Sequence, residues 1–304
     1  MTESKRKWKN PSRALAVASL ALAGVVLPVF GLLNESVAGA DTLSTNFYLD
    51  LGGSGSVGVQ PTVTYPRGQR TAEGYSNDLV AYEATRGVPL QLTELGCPGE
   101  TTATMMIGGD HCYPYHDSQF SEALTFLRSH QEANGIVTID LGFNEVHHCF
   151  HSGVVKQTCV DTQLDAIRQQ LPTILTGLTS VSGPGVTFIG LGHYDPFLAD
   201  ALKGPASQQF AAATATAINS LNATLHSIYT SAGVAMASVG TAFESRNVSR
   251  VSMAGEGMVP QNVASTCELT WMCEPPPFGP NLHPNAAGYA MIARAIEGVL
   301  KVPW

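Results

Sequence analysis

Short apolar runs alternate with longer amphipathic stretches along most of the chain. Five runs read as strands, at about 45–51, 89–94, 136–141, 186–191 and 232–238. Most are largely apolar, as in strands covered on both faces. Between and after them lie helical patterns at about 75–86, 117–134, 160–178, 207–231 and 285–300. The 207–231 stretch carries Phe210, Ala217, Ile218, Leu221, Leu225 and Ile228 at helical spacing, a core-facing stripe. The alternation of β and α predicts a three-layer α/β domain around a parallel sheet of about five strands. Such sheets place their sites at the carboxyl ends of the strands.

The first strand runs directly into Gly52-Gly53-Ser54-Gly55-Ser56-Val57-Gly58. Glycines at this density let the backbone take left-handed conformations and approach a ligand closely. A serine lifted off the end of a buried strand is placed to act as a nucleophile; alone, the stretch reads more readily as a glycine-rich turn with two ordinary serines.

Ahead of this strand, Lys5, Arg6, Lys7, Lys9 and Arg13 precede an uncharged apolar run from Ala14 to Leu33, and Ala38-Gly39-Ala40 offers a small-residue cleavage point. This pattern reads as a signal peptide over 1–40, leaving 41–304 as one domain, with an uncleaved membrane anchor as the alternative. No arginine pair supports twin-arginine export, which leaves the general secretory route. Five of the 16 Lys+Arg and two of the 24 Asp+Glu lie in this leader, so the remainder holds 11 basic against 22 acidic residues, a net charge of −11. An acidic surface argues against a nucleic acid partner and against attraction to anionic membranes. No sequence feature calls for an oligomer, and a monomer is expected.

All six cysteines follow the leader. In an exported chain an even count suggests disulfides, and six cysteines allow 15 pairings. The positions fall into three close pairs, Cys97–Cys112, Cys149–Cys159 and Cys267–Cys273. Each short loop would contribute roughly 2–3 kcal/mol in the chain-entropy model. Metal binding by these cysteines is the alternative, which no CxxC pair supports.

The predicted strand ends carry further chemistry. The second strand is followed by Cys97-Pro98-Gly99-Glu100-Thr101-Thr102, the third by Gly142-Phe143-Asn144-Glu145, and the last helix is preceded by His283-Pro284-Asn285 with Gly288-Tyr289 beyond. Together with Gly53-Ser54 and Gly58, these four segments, in this order from Asp50 to Ile296, resemble the SGNH/GDSL hydrolases. The resemblance implies a flavodoxin-like three-layer fold and a secreted serine esterase or lipase acting on a small-molecule or lipid ester without metal or cofactor. It implies Ser54 as nucleophile, His283 as base, and the Ser54 and Gly99 N–H groups with the Asn144 amide as an oxyanion hole. These roles fit the chemistry: a serine hydroxyl needs a base, and attack on an ester creates an oxyanion that needs fixed donors.

Three positions depart from the family pattern. Gly53 stands where an aspartate usually precedes the serine, and Glu145 where an aspartate usually follows the asparagine. Pro280 occupies the place of the triad acid, three residues before His283. The expectation is a Ser-His dyad whose ring is oriented by the main-chain carbonyl of Pro280 or a neighbour, with Asp195 as an alternative acid. The same departures motivate a rival reading, a catalytically impaired binding protein of this fold.

Other residues have weaker claims. His147, His148 and His151 form a histidine cluster just past Asn144. It reads as a polar loop, with a zinc site on a shared helix face as the sharper alternative. Phe143, Tyr194 and Phe197 are candidates to line an acyl pocket, or to pack as ordinary aromatics. Asn222 and Asn247 match the glycosylation sequon, and Asn222 lies inside a predicted helix.

Overall fold

Strict alternation in the first strand, β1 (Phe47–Gly52), sets out the layers. Phe47, Leu49 and Leu51 belong to one apolar cluster and Tyr48 to another, as side chains on opposite faces of a pleated strand must. The computed structural model describes residues 46–301, apart from 110 and 114–116. The predicted leader over 1–40 and residue 45 of the predicted first strand lie outside the described residues.

After β1 come α1 (Tyr75–Thr85), β2 (Gln91–Glu94), α2 (Thr102–Ile107), α3 (Gln119–Ser129), β3 (Gly135–Asp140) and α4 (Phe143–His147). A two-residue hairpin follows, β4 (Phe150–His151) with β5 (Val154–Val155), then α5 (Gln157–Val181), β6 (Val186–Leu191), α6 (Pro205–Ser231), β7 (Ala235–Ala237) and α7 (Val239–Ala242). The chain ends with a ribbon of β8 (Arg250–Met253) and β9 (Gly257–Pro260), then α8 (Gln261–Leu269) and α9 (Ala286–Glu297). The main sheet is five-stranded and parallel, in the order β2-β1-β3-β6-β7.

On one face the β1 side chains meet Val137 and Ile139 of β3, with Leu127 of α3, Ile167 and Leu171 of α5, and Leu221 and Leu225 of α6. On the other, Tyr48, Ile136 and Ile189 meet Tyr75 and Leu79 of α1, and Tyr289, Ile292 and Ile296 of α9. The sheet is thus the middle of three α/β/α layers, as the alternation predicts. Chain order reverses at β1, whose neighbours β2 and β3 lie on opposite sides, and this opens a crevice beyond the strand ends.

The predicted strands and long helices are all present, within a few residues at their ends. Short helices α2, α4 and α8 and the β8–β9 ribbon were not predicted. The disulfides are Cys97–Cys112, Cys149–Cys159 and Cys267–Cys273, the close pairing expected, with sequence separations of 15, 10 and 6.

Candidate active site

The serine turn is built by what β1 can do at its end. Gly52 has φ +138°, and a Cβ there would lie 2.2 Å from the Asp140 carbonyl oxygen, so only glycine fits. Gly53 N–H donates to Asp140 O at 3.1 Å and Val59 N–H to Ser54 O at 3.1 Å. Ser54 starts a single 3-10 turn, Gly55–Val57, which closes on Gly58 at φ +58°. The Ser56 hydroxyl donates to Gly53 O at 2.8 Å and is fully buried, so Ser56 braces the turn while Ser54 opens toward the crevice.

Gln119 supplies support that the missing aspartate at position 53 does not. Its buried amide accepts from Gly52 N–H at 2.6 Å and donates to Gly52 O at 3.1 Å and to Glu100 at 2.7 Å. At position 53 a Cβ would lie 2.9 Å from Asn144 Nδ2, so a side chain there requires Asn144 to shift.

Asn144 sits in α4, entered through Gly142 at φ +111°. Its Nδ2 donates one hydrogen to Glu100 O at 2.9 Å, which ties the ends of β2 and β3 together and leaves a second hydrogen on the same nitrogen. The next residue, Glu145, is buried and accepts from the Thr102 N–H at the start of α2 at 2.7 Å, so the longer acid still anchors a neighbouring turn. Gly99 has φ +90°, and a Cβ there would meet nothing within 4 Å. Glycine is therefore set at this position by backbone conformation rather than by space.

His283 rides on the loop between α8 and α9. Its carbonyl accepts from Trp271 N–H at 3.1 Å, Asn281 N–H donates back to Trp271 O at 3.1 Å, and Tyr194 OH donates to Leu282 O at 2.7 Å. The Cys267–Cys273 bridge closes the segment just before it. Burial, with a smaller contribution from His147, pushes the His283 imidazole down to about 4.

The partner of His283 corrects the expectation for Pro280. Nδ1 lies 2.7 Å from the side-chain Oδ1 of Asn281, which also accepts the His283 backbone N–H at 3.0 Å. The geometry is an Asx turn, in which a side-chain carbonyl captures the N–H two residues on. That reach places the Asn281 amide against the ring, while Pro280 is exposed. Asp195 does not supply an acid to His283: it caps the 3-10 helix Pro196–Lys203 by accepting from Phe197 N–H at 2.9 Å, and its other oxygen accepts from Thr214 at 2.8 Å.

Ser54, Asn144 and His283 line one small cavity of about 60 Å³, with Phe143, His193 and Tyr194. Gly99 is not among its lining residues. Asp140, at the carboxyl end of β3, also faces this cavity and was not foreseen. Burial raises its carboxyl above the usual range, partly offset by His193, whose Nδ1 is 3.6 Å away. His193 Nε2 is 2.9 Å from Leu141 O, so Nε2 carries the proton.

The histidine cluster does not share a helix face, because α4 ends at His147 and His151 lies in β4. His147 stacks between Phe143 at 5.5 Å and Phe197 at 5.6 Å, while His148 and His151 are exposed. The one group of potential ligand atoms that converges among the described residues is Cys97, His111 and Cys112, and its two cysteines are bonded to each other. Tyr194 and Phe143 line the cavity, whereas Phe197 packs edge-on against Phe150 and Phe210. Asn222, in the helical sequon, accepts from His193 N–H at 2.7 Å and donates to His193 O at 2.8 Å. A larger cleft of about 620 Å³ is lined partly by Asn219, Asn222, His226 and Arg246, and neither Ser54 nor His283 lines it.

Residues 51–291 match the model of the GDSL-like Lipase/Acylhydrolase family. Among solved structures, the chain is similar to the extracellular lipase of Streptomyces rimosus, with 20% identity, a TM-score of 0.53, and 84% of this chain and 100% of that one covered. It also resembles the phospholipase A1 of Streptomyces albidoflavus NA297, with 14% identity, a TM-score of 0.49, and 84% and 100% covered. No curated protein matches the chain.

Proposed function

The chain belongs to the GDSL-like lipase/acylhydrolase family, and from that premise we propose that it is an exported serine hydrolase of carboxylic esters that works through an acyl-enzyme. The observation that carries this reading is the meeting of Ser54, Asn144 and His283 in one cavity, from three segments far apart in sequence. His283 donates Nδ1–H to Asn281, which leaves Nε2 as the lone pair that takes the Ser54 proton. Ser54 Oγ attacks the ester carbonyl, and the negative charge on its oxygen is met by the free hydrogen of Asn144 and the Ser54 N–H, with the Gly99 N–H, beside the cavity lining, as the third donor that the family pattern implies. The protonated His283 returns its proton to the departing alcohol. Water, deprotonated by the same nitrogen, then releases the acid and restores Ser54.

Export rests on the basic-apolar leader and on three disulfides, which form and persist in oxidising compartments. No helix among the described residues is long and apolar enough to cross a membrane. The small cavity makes a short p-nitrophenyl ester the substrate of choice for a first assay. Ser54→Ala is expected to lower turnover by about 10⁴-fold or more, and a serine-directed phosphonate to label Ser54. Undiminished hydrolysis in the variant, or an adduct on Ser56, would overturn the assignment.

A further inference from the structure

We propose that Asn281 is the positioning residue for His283, and that its neutral carboxamide takes the place of a triad carboxylate in this chain. The proposal rests on the reading of Ser54 and His283 given above. Its first support is geometric. One oxygen, Asn281 Oδ1, accepts from both the ring Nδ1 at 2.7 Å and the backbone N–H of His283 at 3.0 Å, so it fixes ring and main chain together.

The second support is the orientation of the amide, which its partners determine. Asn281 Nδ2 donates to Pro66 O at 3.2 Å, and a carbonyl oxygen can only accept. Turning the amide over would set an oxygen against the Pro66 carbonyl and an NH₂ against the His283 backbone N–H. These two partners, whose roles are fixed, select one orientation, and it turns the acceptor toward the imidazole. An aspartate has the same shape but would face the Pro66 carbonyl with a charged oxygen. The surroundings suit an amide rather than an acid.

The third support is the charge around the ring. From α4 comes His147, which disfavours a second positive charge on His283. From the end of β3 comes Asp140, the one carboxylate among the residues lining the cavity, which burial holds toward its neutral form and which lies beside His193. Tyr75 of α1 and Tyr194 after β6 line the same cavity. Arg67, next to Pro66, and Glu274, on the loop carrying His283, are exposed. Among the described residues no carboxylate is hydrogen-bonded to the imidazole, whose Nδ1 meets the neutral Asn281 amide, so its protonated form has weak support before substrate arrives. His283 consequently stays neutral well into acidic solution, and the charge that stabilises its imidazolium is the oxyanion formed during the reaction.

The test compares wild type, Asn281→Ala and Asn281→Asp in the full disulfide-bonded protein. The readouts are pH profiles of kcat/KM on p-nitrophenyl acetate, which report the free enzyme's base, and ¹⁵N imidazole NMR of wild type. We expect a wild-type acid limb at or below about pH 5, and a limb in Asn281→Asp at least one unit higher, as an adjacent negative charge requires. Asn281→Ala is expected to lose about 100-fold in kcat with KM within about threefold of wild type, because the base is still present but unoriented. The NMR spectrum of wild type should show His283 as the Nδ1–H tautomer at pH 6.

An acid limb unmoved in Asn281→Asp, or an Asn281→Ala enzyme with wild-type kcat, would overturn the proposal. Should either variant fail to fold, an Nε2–H tautomer in wild-type protein overturns it as well. Loss of the esterase reading is a separate outcome, seen as full activity in Ser54→Ala, and leaves the NMR result to decide the role of Asn281.

Discussion

Restoring the family's aspartate at position 53 should weaken this protein rather than improve it. Gly53 is pinned at both ends: its N–H donates to Asp140 O at 3.1 Å and its carbonyl accepts from Ser56 at 2.8 Å. The backbone belongs to the end of a buried central strand and cannot easily withdraw. A Cβ at this position would stand 2.9 Å from Asn144 Nδ2, well inside normal contact, so the Asn144 side chain must move. Movement weakens its bond to Glu100 O and turns its free hydrogen away from the place where the proposed mechanism forms an oxyanion. Complete loss of one oxyanion donor costs about 3–4 kcal/mol, or roughly 10²–10³ in kcat. Partial displacement by the single carbon of Gly53→Ala should cost about 10–100-fold, and Gly53→Asp should fall at the larger end. Stability should drop by only about 1 kcal/mol, for one weakened hydrogen bond. Initial rates on a short p-nitrophenyl ester, with kcat and KM separated, and a melting curve on the same samples distinguish the two effects. A folded Gly53→Ala enzyme with kcat within about threefold of wild type would refute the reasoning, because the contact would then have been absorbed without displacing the donor.

Two further predictions concern stability. Burial raises the Asp195 carboxyl from 3.8 to about 7, so the folded state holds a proton that the unfolded chain releases earlier. Stability should therefore fall as pH rises from about 4 to 7, by about 4 kcal/mol from this group, and stay level above. In Asp195→Asn that contribution disappears: the difference in urea midpoint between variant and wild type should shift in favour of the variant across this window, and a difference independent of pH would contradict the account. Gln119→Leu removes both bonds to the Gly52 peptide in a fully buried place. It should lower the melting temperature by about 4–6 °C, and an unchanged melting curve would mean that Gln119 does not hold the serine turn.

The sheet was legible because its strands are apolar runs and its long helices carry apolar stripes, as in Leu221 and Leu225 of α6. The site was legible because a parallel sheet puts Ser54 and Asn144 at neighbouring strand ends without any knowledge of side-chain detail. Short polar elements were not legible: α8, Gln261–Leu269, has no strong apolar period and takes its shape from packing against the 3-10 helix Pro196–Lys203 and α9. The support of His283 was missed for a different reason. The family pattern points to an acid at the third position before the histidine, while Asn281 at the second position carries the signal of an Asx turn. Asp140 and His193 were not foreseen as facing the site, because which strand-end side chains turn into the crevice depends on register and close approach. Asn222 shows the converse: it matches a sequon, yet its amide is committed to the His193 backbone.

The three disulfides divide the molecule into parts held by different means. Each crosslink joins residues at most 15 positions apart, and none joins two strands of the main sheet. The sheet and its flanking helices are secured by burial and strand pairing, which form wherever there is water. The loops that deliver residues to the crevice are secured by bonds that form only where thiols are oxidised. The redox character of the surroundings therefore bears on the rim of the crevice more than on the sheet beneath it.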